Sequence, residues 1–159
     1  MEDSPMFLRR FAGAFPLAAL LSFVFAACAQ APADPWNDSQ TVQPVALNKE
    51  LSDAKTTPLI LFVGYQRLFN AGHIKGAQFH GSGGSADGLA QIKAWATPLP
   101  RSASIVIYCG CCPLWHCPNV RPAFVALRDM GFTKVRVLLL PISFEVDWAE
   151  KGLPYDRGQ

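Results

Sequence analysis

The sequence predicts an α/β domain built around a largely parallel sheet. Three observations carry that expectation. Leu59–Val63 (LILFV), Ser104–Tyr108 (SIVIY) and Val135–Leu140 (VRVLLL) are short, nearly continuous apolar runs, the pattern of strands buried on both faces. Helical patterns fill the gaps between these runs, and parallel strands need such crossovers. The 13 Pro and 12 Gly follow no period, which excludes collagen-like and long coiled-coil architectures.

Taken in order, the chain opens on an export pattern. Arg9 and Arg10 form a short basic region, and an apolar run from Phe11 to Ala27 follows it. Small residues close the run. This is the layout of a secretory signal peptide over residues 1–29. The run is short for a bilayer span and carries Pro16. Ala27-Cys28-Ala29 permits cleavage before Gln30. Alternatively Phe25-Ala26-Ala27-Cys28 is similar to a bacterial lipobox, with Cys28 as the lipidated residue. Either way an exported, periplasmic chain is expected, touching membrane only through the signal or a lipid anchor. Residues 30–44 are Pro-rich and polar and read as a tether, leaving residues 45–155 as the domain.

Within that domain Val45–Ala54 is expected to form a first helix. Residues 86–96 place Leu89, Ile92 and Trp95 near one helical face. Residues 120–130 place Ala123, Ala126, Leu127 and Met130 at i, i+3, i+4 and i+7. Asn119 is the expected N-cap of that helix, Pro122 falls in its first turn and Gly131 stops it. The segment Gly81-Ser82-Gly83-Gly84 lacks the spacing and Lys of a phosphate-binding loop, so a flexible loop is expected.

Composition bounds the function. The chain of 159 residues is 50% hydrophobic and 11% aromatic, which excludes a disordered chain. A net charge of +2 gives no footprint for nucleic acid. Five cysteines stand out, four of them between residues 109 and 117: Cys109-Gly110-Cys111-Cys112-Pro113-Leu114-Trp115-His116-Cys117.

Cys109 directly follows a predicted strand, and a helix opens after Asn119. Ligands of open α/β sheets bind beyond the carboxyl ends of the strands. Helix N-termini present unpaired N–H groups and a partial positive charge there, which lowers a thiol pKa. Organisation alone thus marks Cys109 as a nucleophile. Other readings stay open. A disulfide could join Cys111 or Cys112 to Cys117, whereas the adjacent pair is poorly placed for one. Cys109, Cys112, His116 and Cys117 are soft ligands for Zn(II) or Cu(I). They crowd one short span, where a structural zinc site joins two separated pairs, so no native metal is expected. Pro113 excludes a covalent haem site. A cysteine phosphatase needs an Arg where Cys109 has Trp115 and Cys117 has Ala123. The C-x-x-C spacing points weakly to thiol–disulfide exchange.

Four segments then resemble the rhodanese-like sulfurtransferase domain family. They are Ala71-Gly72-His73-Ile74-Lys75-Gly76-Ala77; Ile105-Val106-Ile107-Tyr108-Cys109; Met130-Gly131-Phe132 with Val135; and Trp148-Ala149-Glu150-Lys151-Gly152-Leu153-Pro154. The resemblance implies a central, mostly parallel sheet with helices on both faces. It implies no cofactor, and Cys109 as the thiol that carries sulfane sulfur as a persulfide. A small sulfane-sulfur donor and a thiol or other nucleophilic acceptor would be its partners. Three features depart from the family. Phe62-Val63-Gly64 replaces Asp-Val-Arg, and Ser143-Phe144 replaces Gly-Gly. The active loop is longer and holds no Arg or Lys from Gly110 to Asn119, leaving Arg121 as the nearest cation and candidate anion contact. Without that clamp, recognition of an anionic donor is in question. The extra thiols suggest a relay in which Cys111, Cys112 or Cys117 attacks a Cys109 persulfide. The alternatives are a non-catalytic module binding metal or partner through the loop, or a thiol-exchange protein.

Four further side chains carry expectations. His73 is read as structural, bonding a turn. His116 either lowers a thiol pKa or sits exposed. Trp115 either lines the pocket mouth or covers the core, and Trp148 belongs to the core.

Overall fold

Alternation within the apolar runs decides the architecture. Strand β2 (Leu59–Phe62) sends Ile60 and Phe62 to one face and Leu61 to the other. Strand β5 (Ser104–Tyr108) divides in the same way, Ile105 and Ile107 against Val106 and Tyr108. Both faces are therefore buried, which is why neither run shows polar alternation. The computed structural model describes residues 33–158 apart from residues 54 and 56. The expected signal at residues 1–29, with Cys28, lies outside the described residues.

Five strands form the main sheet, in the order β1-β6-β5-β2-β4, and every pairing is parallel. The remaining members are β1 (Thr41–Val42), β4 (Gln78–Phe79) and β6 (Lys134–Leu138). One face is covered by α3 (Ala86–Ala96) and α4 (Val120–Asp129), through Ile92, Ala96, Ala123, Phe124 and Leu127. The other is covered by α1 (Pro44–Leu51), α2 (Gln66–Ala71) and a π-helical turn at Glu145–Ala149, through Leu47, Phe69 and Trp148. Arg136 interrupts the third run. Its guanidinium reaches the α1 side and pairs with both carboxylate oxygens of Glu50 at 2.9 and 2.6 Å, holding that carboxyl below its ordinary range.

The three long strands and α3 fall where the sequence placed them. Ser85 caps α3 by accepting the Gly88 N–H at 3.1 Å, and Pro44 opens α1 at a position that has no intrahelical donor to lose. Gly131, at φ +89°, ends α4 with a bond to Arg128 O, and Phe132 N–H returns to Leu127 O. The stretch read as a tether differs. Thr41–Val42 adds a strand to β6, and Trp36 packs edge-on against Phe124 at 5.4 Å. Two β-residues and one half-buried indole are too few to stand out against a Pro-rich background, yet they extend the compact unit back to Ala33.

A second, two-stranded sheet explains why two distant segments of the resemblance accompany each other. Strand β3 (His73–Ile74) pairs antiparallel with β7 (Tyr155–Asp156). Lys75 N–H and Trp148 Nε1 both donate to Pro154 O, at 3.4 and 3.0 Å. His73 is structural as expected: Nδ1 donates to Phe69 O at 2.8 Å and its ring stacks on Phe69. Trp148 is fully buried. Tyr108 Oη accepts the Ile74 N–H at 2.9 Å, tying this small sheet to the end of β5.

Candidate active site

The chain runs from β2 outward to β4, then returns through α3 to β5 on the opposite side of β2. Strand order reverses there, and a crevice opens beyond the carboxyl ends of the two neighbours. Gly64 follows β2 and Cys109 follows β5. A methyl group on Gly64 would stand 2.9 Å from Cys109 Sγ and 2.6 Å from the Phe62 ring. The replaced Asp-Val-Arg segment therefore has a steric reason in this chain: a side chain at position 64 would occupy the space of the thiol.

Cys109 is buried, and all four loop cysteines are free thiols. Cys109 Sγ lies 3.2 Å from Cys111 Sγ, which lies 3.2 Å from Cys112 Sγ. The sulfurs of Cys109, Cys111 and Cys117 all stand within 4.8 Å of one another. The thiols that converge are thus 109, 111 and 117, not the 109, 112, 116 and 117 set suggested by spacing. A tetrahedral Zn(II) with bonds of about 2.3 Å separates its sulfur ligands by about 3.8 Å, so these three could hold a soft ion.

Two cavities meet at Cys109. The larger, of about 200 Å³, is lined by Phe62, Leu68, Cys111, Phe144, Tyr155 and Arg157 among others. The smaller, of about 10 Å³, is lined by Cys112, Leu114, Cys117, Val120, Leu138 and Leu140. They share only Cys109 and Gly110. Phe144, one of the two residues replacing the family's Gly-Gly, forms a wall of the larger cavity, and its N–H donates to Gly110 O at 3.0 Å.

The loop's far end rests on the glycine segment. Asn119 is completely buried and does not cap α4. Its Oδ1 accepts from Ser82 Oγ at 2.8 Å and Gly84 N–H at 2.9 Å, and its Nδ2 points to Cys109 Sγ at 3.5 Å. A methyl on Gly83 would fall 2.0 Å from Asn119 O. The Gly-Ser-Gly-Gly segment is therefore packed backbone rather than a flexible loop. Glycine serves there because another main chain passes within contact.

Electrostatics divide the thiols. Cys117 Sγ takes the N-terminus of α4. Hydrogen bonding from Cys109, then the N–H groups of Asn119 and Val120, outweigh burial and bring its pKa down to about 6. Cys109 moves the other way, because donation toward Cys117 and desolvation favour its protonated form. Burial and the neighbouring Cys111 push Cys112 up to about 12. The helix terminus expected to activate Cys109 thus acts on Cys117, and the two thiols share one dissociable proton between them.

Three expected site residues are placed elsewhere. Arg121 donates to Leu114 O and Cys117 O at 3.3 and 3.4 Å and pairs with Asp34 at 2.5 Å. It fastens the loop and lines neither cavity. His116 is exposed against Trp115, with no hydrogen bond to a thiol among the described residues. Trp115 is 69% exposed and neither lines a cavity nor covers the core. In their place the fold supplies Arg157 and Glu145 to the larger cavity. Arg157 is far along the chain and in no motif, so no sequence signal pointed to it. Asn119 had a signal, a polar residue beside the cysteines, which capping statistics assigned to the helix instead.

Comparison with solved structures gives this architecture its class. A rhodanese-like domain from Anabaena matches with a TM-score of 0.54 at 23% identity, over 74% of this chain and 79% of that one. The chain has a rhodanese-like fold. A Bacillus halodurans protein matches with a TM-score of 0.59 at 18% identity, over 75% of this chain and 77% of its own. A thiosulfate sulfurtransferase from Pseudomonas aeruginosa matches at 0.52 and 20% identity, over 81% of this chain and one fifth (20%) of that longer one. No protein-family model matches the chain, and no curated protein sequence matches it. On the rhodanese-like fold, Cys109 holds the strand-end position that the sequence resemblance assigned to the sulfur-carrying thiol.

Proposed function

We propose that the protein is an exported sulfurtransferase that carries sulfane sulfur as a persulfide on Cys109. The observation that carries this reading is the placement of Cys109 Sγ, at the end of a central strand and facing a cavity that also presents Cys111 and Arg157. The Cys111 N–H favours its ionised form, and Cys117 beside it accepts its proton when it reacts. The Cys109 thiolate attacks the donor's outer sulfur. A Cys109–sulfur bond forms, the donor's sulfur–sulfur bond breaks, and the donor remnant departs with the electron pair. A nucleophilic acceptor, a thiol among them, then removes the bound sulfur. Arg157 supplies at the cavity rim the cation missing from the loop, which supports an anionic donor of the thiosulfate class. Export rests on Arg9, Arg10 and the apolar run to Ala27, with either cleavage before Gln30 or lipidation of Cys28.

The test is mass spectrometry of the reduced protein after exposure to thiosulfate. One added sulfur, mapped to Cys109 and removed by dithiothreitol, is the expected product, in wild type at short times or in a loop variant that lacks a displacing thiol, and Cys109→Ser should not acquire it. Sulfur that never appears on Cys109, in wild type or in any single loop variant, would overturn the reading. One observation favours a second reading: three sulfurs within 4.8 Å of each other suit a soft-metal module. That module would purify with stoichiometric metal and lose it on Cys111→Ser.

A further inference from the structure

We propose that Cys117 is the resolving thiol of this site, displacing the outer sulfur of a Cys109 persulfide as hydrosulfide and leaving a Cys109–Cys117 disulfide. The inference rests on the persulfide reading above and adds a fate for the bound sulfur.

Displacement at a sulfur atom is in-line: the attacking group enters opposite the leaving group. Cys109 suits that requirement because it borders two cavities that have only Cys109 and Gly110 in common. Cys111 lines the larger one, on the donor side. Cys117 lines the smaller one, closed off by Leu114, Val120, Leu138 and Leu140. A donor entering the larger cavity leaves its sulfur on that side, next to Cys111. The Cys117 sulfur then faces the back of Cys109 Sγ, from within 4.8 Å. Cys111 also stands close to Cys109, at 3.2 Å, but on the side of the departing sulfur. That position suits it to take the outer sulfur, not to expel it.

The state of Cys117 agrees with this role. Its sulfur receives the N–H groups of Asn119 and Val120, which stabilise its anion; the proton it took from Cys109 passes to the outer sulfur of the persulfide and leaves Cys117 free to attack. No donor-sized opening leads to it, since the cavity beside it is only about 10 Å³. The nucleophile is therefore present but screened from external donors.

The step balances without an added oxidant. The Cys117 electron pair forms the new sulfur–sulfur bond. The bond from Cys109 Sγ to the outer sulfur breaks, and that sulfur leaves with the pair and its proton as HS⁻. The two cysteine sulfurs are oxidised to the disulfide, and the outer sulfur is reduced to the sulfide level. Closing the sulfurs to a bond of about 2.05 Å requires the Cys117 side chain to advance. Each further turnover needs an external dithiol reductant.

A single-turnover experiment tests this. The reduced full chain, freed of reductant, is given one equivalent of thiosulfate. Wild type should release one equivalent of hydrosulfide and yield a Cys109–Cys117 disulfide in a peptide map. Cys117→Ser and Cys117→Ala should hold the extra sulfur on Cys109 and lose hydrosulfide release to background. Release at the wild-type rate from the Cys117 variants, or a Cys109–Cys111 disulfide, overturns the proposal but leaves the persulfide reading intact. Absence of added sulfur on Cys109 in every protein, with no hydrosulfide from wild type, removes both. The wild-type peptide map decides the matter even if the Cys117 variants do not fold.

Discussion

The two ends of the cysteine loop are built on different principles. The start, Cys109-Gly110-Cys111, hangs from a buried strand and borders open space: Gly64 leaves room for the thiol, and the large cavity lies beyond it. The end, Cys117-Pro118-Asn119, is locked to the rest of the molecule by a buried amide, the glycine segment and a helix terminus. One end offers access and the other offers charge stabilisation. Reactivity in a loop of four thiols is therefore not a property of composition. It depends on which sulfur meets the cavity and which meets the N–H groups.

The largest effect should come from breaking the locked end. In Gly83→Ala the new methyl would sit 2.0 Å from Asn119 O, a contact with backbone that no rotamer change relieves. Ordinary overpacking costs about 1–3 kcal/mol, and this substitution should reach or exceed the top of that range. Urea unfolding measures it, and an unchanged midpoint would show that the segment is loose after all.

Asn119→Ala comes next. It takes the acceptor from the part-buried Ser82 and Gly84 donors, which should cost about 1 kcal/mol. Asn119→Asp sharpens the comparison. It keeps both acceptor bonds but replaces the Nδ2 donor facing Cys109 with negative charge, so it should raise the thiolate midpoint while costing less stability.

That midpoint separates the two ends directly. Ultraviolet thiolate absorbance should titrate with a midpoint of about 6, vanish in Cys117→Ser and move upward in Cys109→Ala, which removes the largest cause of the shift. The sign for stability follows from proton counts. Between about 6 and the ordinary thiol value of about 8.5, the unfolded chain binds more protons than the folded one, so stability rises with pH. Above that value the unfolded thiols all ionise while folded Cys109 keeps its proton, and stability falls again. A monotonic profile through this window would contradict the division of labour between the thiols.

What the sequence disclosed follows the same divide. The long strands were legible because burial on both faces writes itself as an unbroken apolar run, and α3 because its periodicity is local. Cys109 was legible because a strand end is a local event. The partnership of Cys117 with the helix N–H groups, the packing of Gly83 on Asn119 and the arrival of Arg157 were not. The last two join residues far apart in the chain, and the first depends on how the short turn from Cys117 to Val120 aims its N–H groups; the local rules at hand, capping for Asn119 and flexibility for glycine, gave the commoner role. The short strands β1, β3, β4 and β7 have two residues each, too few for any period to show.

Arg157→Ala probes the open end with a smaller effect. The residue is exposed at the cavity rim, where a single charge is worth up to about 1 kcal/mol, so KM for thiosulfate should rise by about fivefold or less with kcat unchanged. A fall in kcat instead would mean that the guanidinium acts on the reacting atoms.

Trp115 and His116 should be the least sensitive positions, although they sit in the middle of the loop. They form a 3-10 turn whose rings lie against each other in solvent, 3.6 Å between centroids. The turn itself is held by backbone: Leu114 N–H bonds to Leu140 O, His116 N–H to Pro113 O and Cys117 N–H to Leu114 O, with Arg121 bonding the carbonyls from below. None of these bonds uses the Trp115 or His116 side chain. Trp115→Ala and His116→Ala should therefore each change stability by no more than about 0.5 kcal/mol, leave the thiolate midpoint near 6 and leave sulfur loading of Cys109 at the wild-type level. If His116→Ala moved the midpoint, an imidazole–thiolate contact would exist in solution, and the charge at this end of the loop would come from a side chain as well as from the helix.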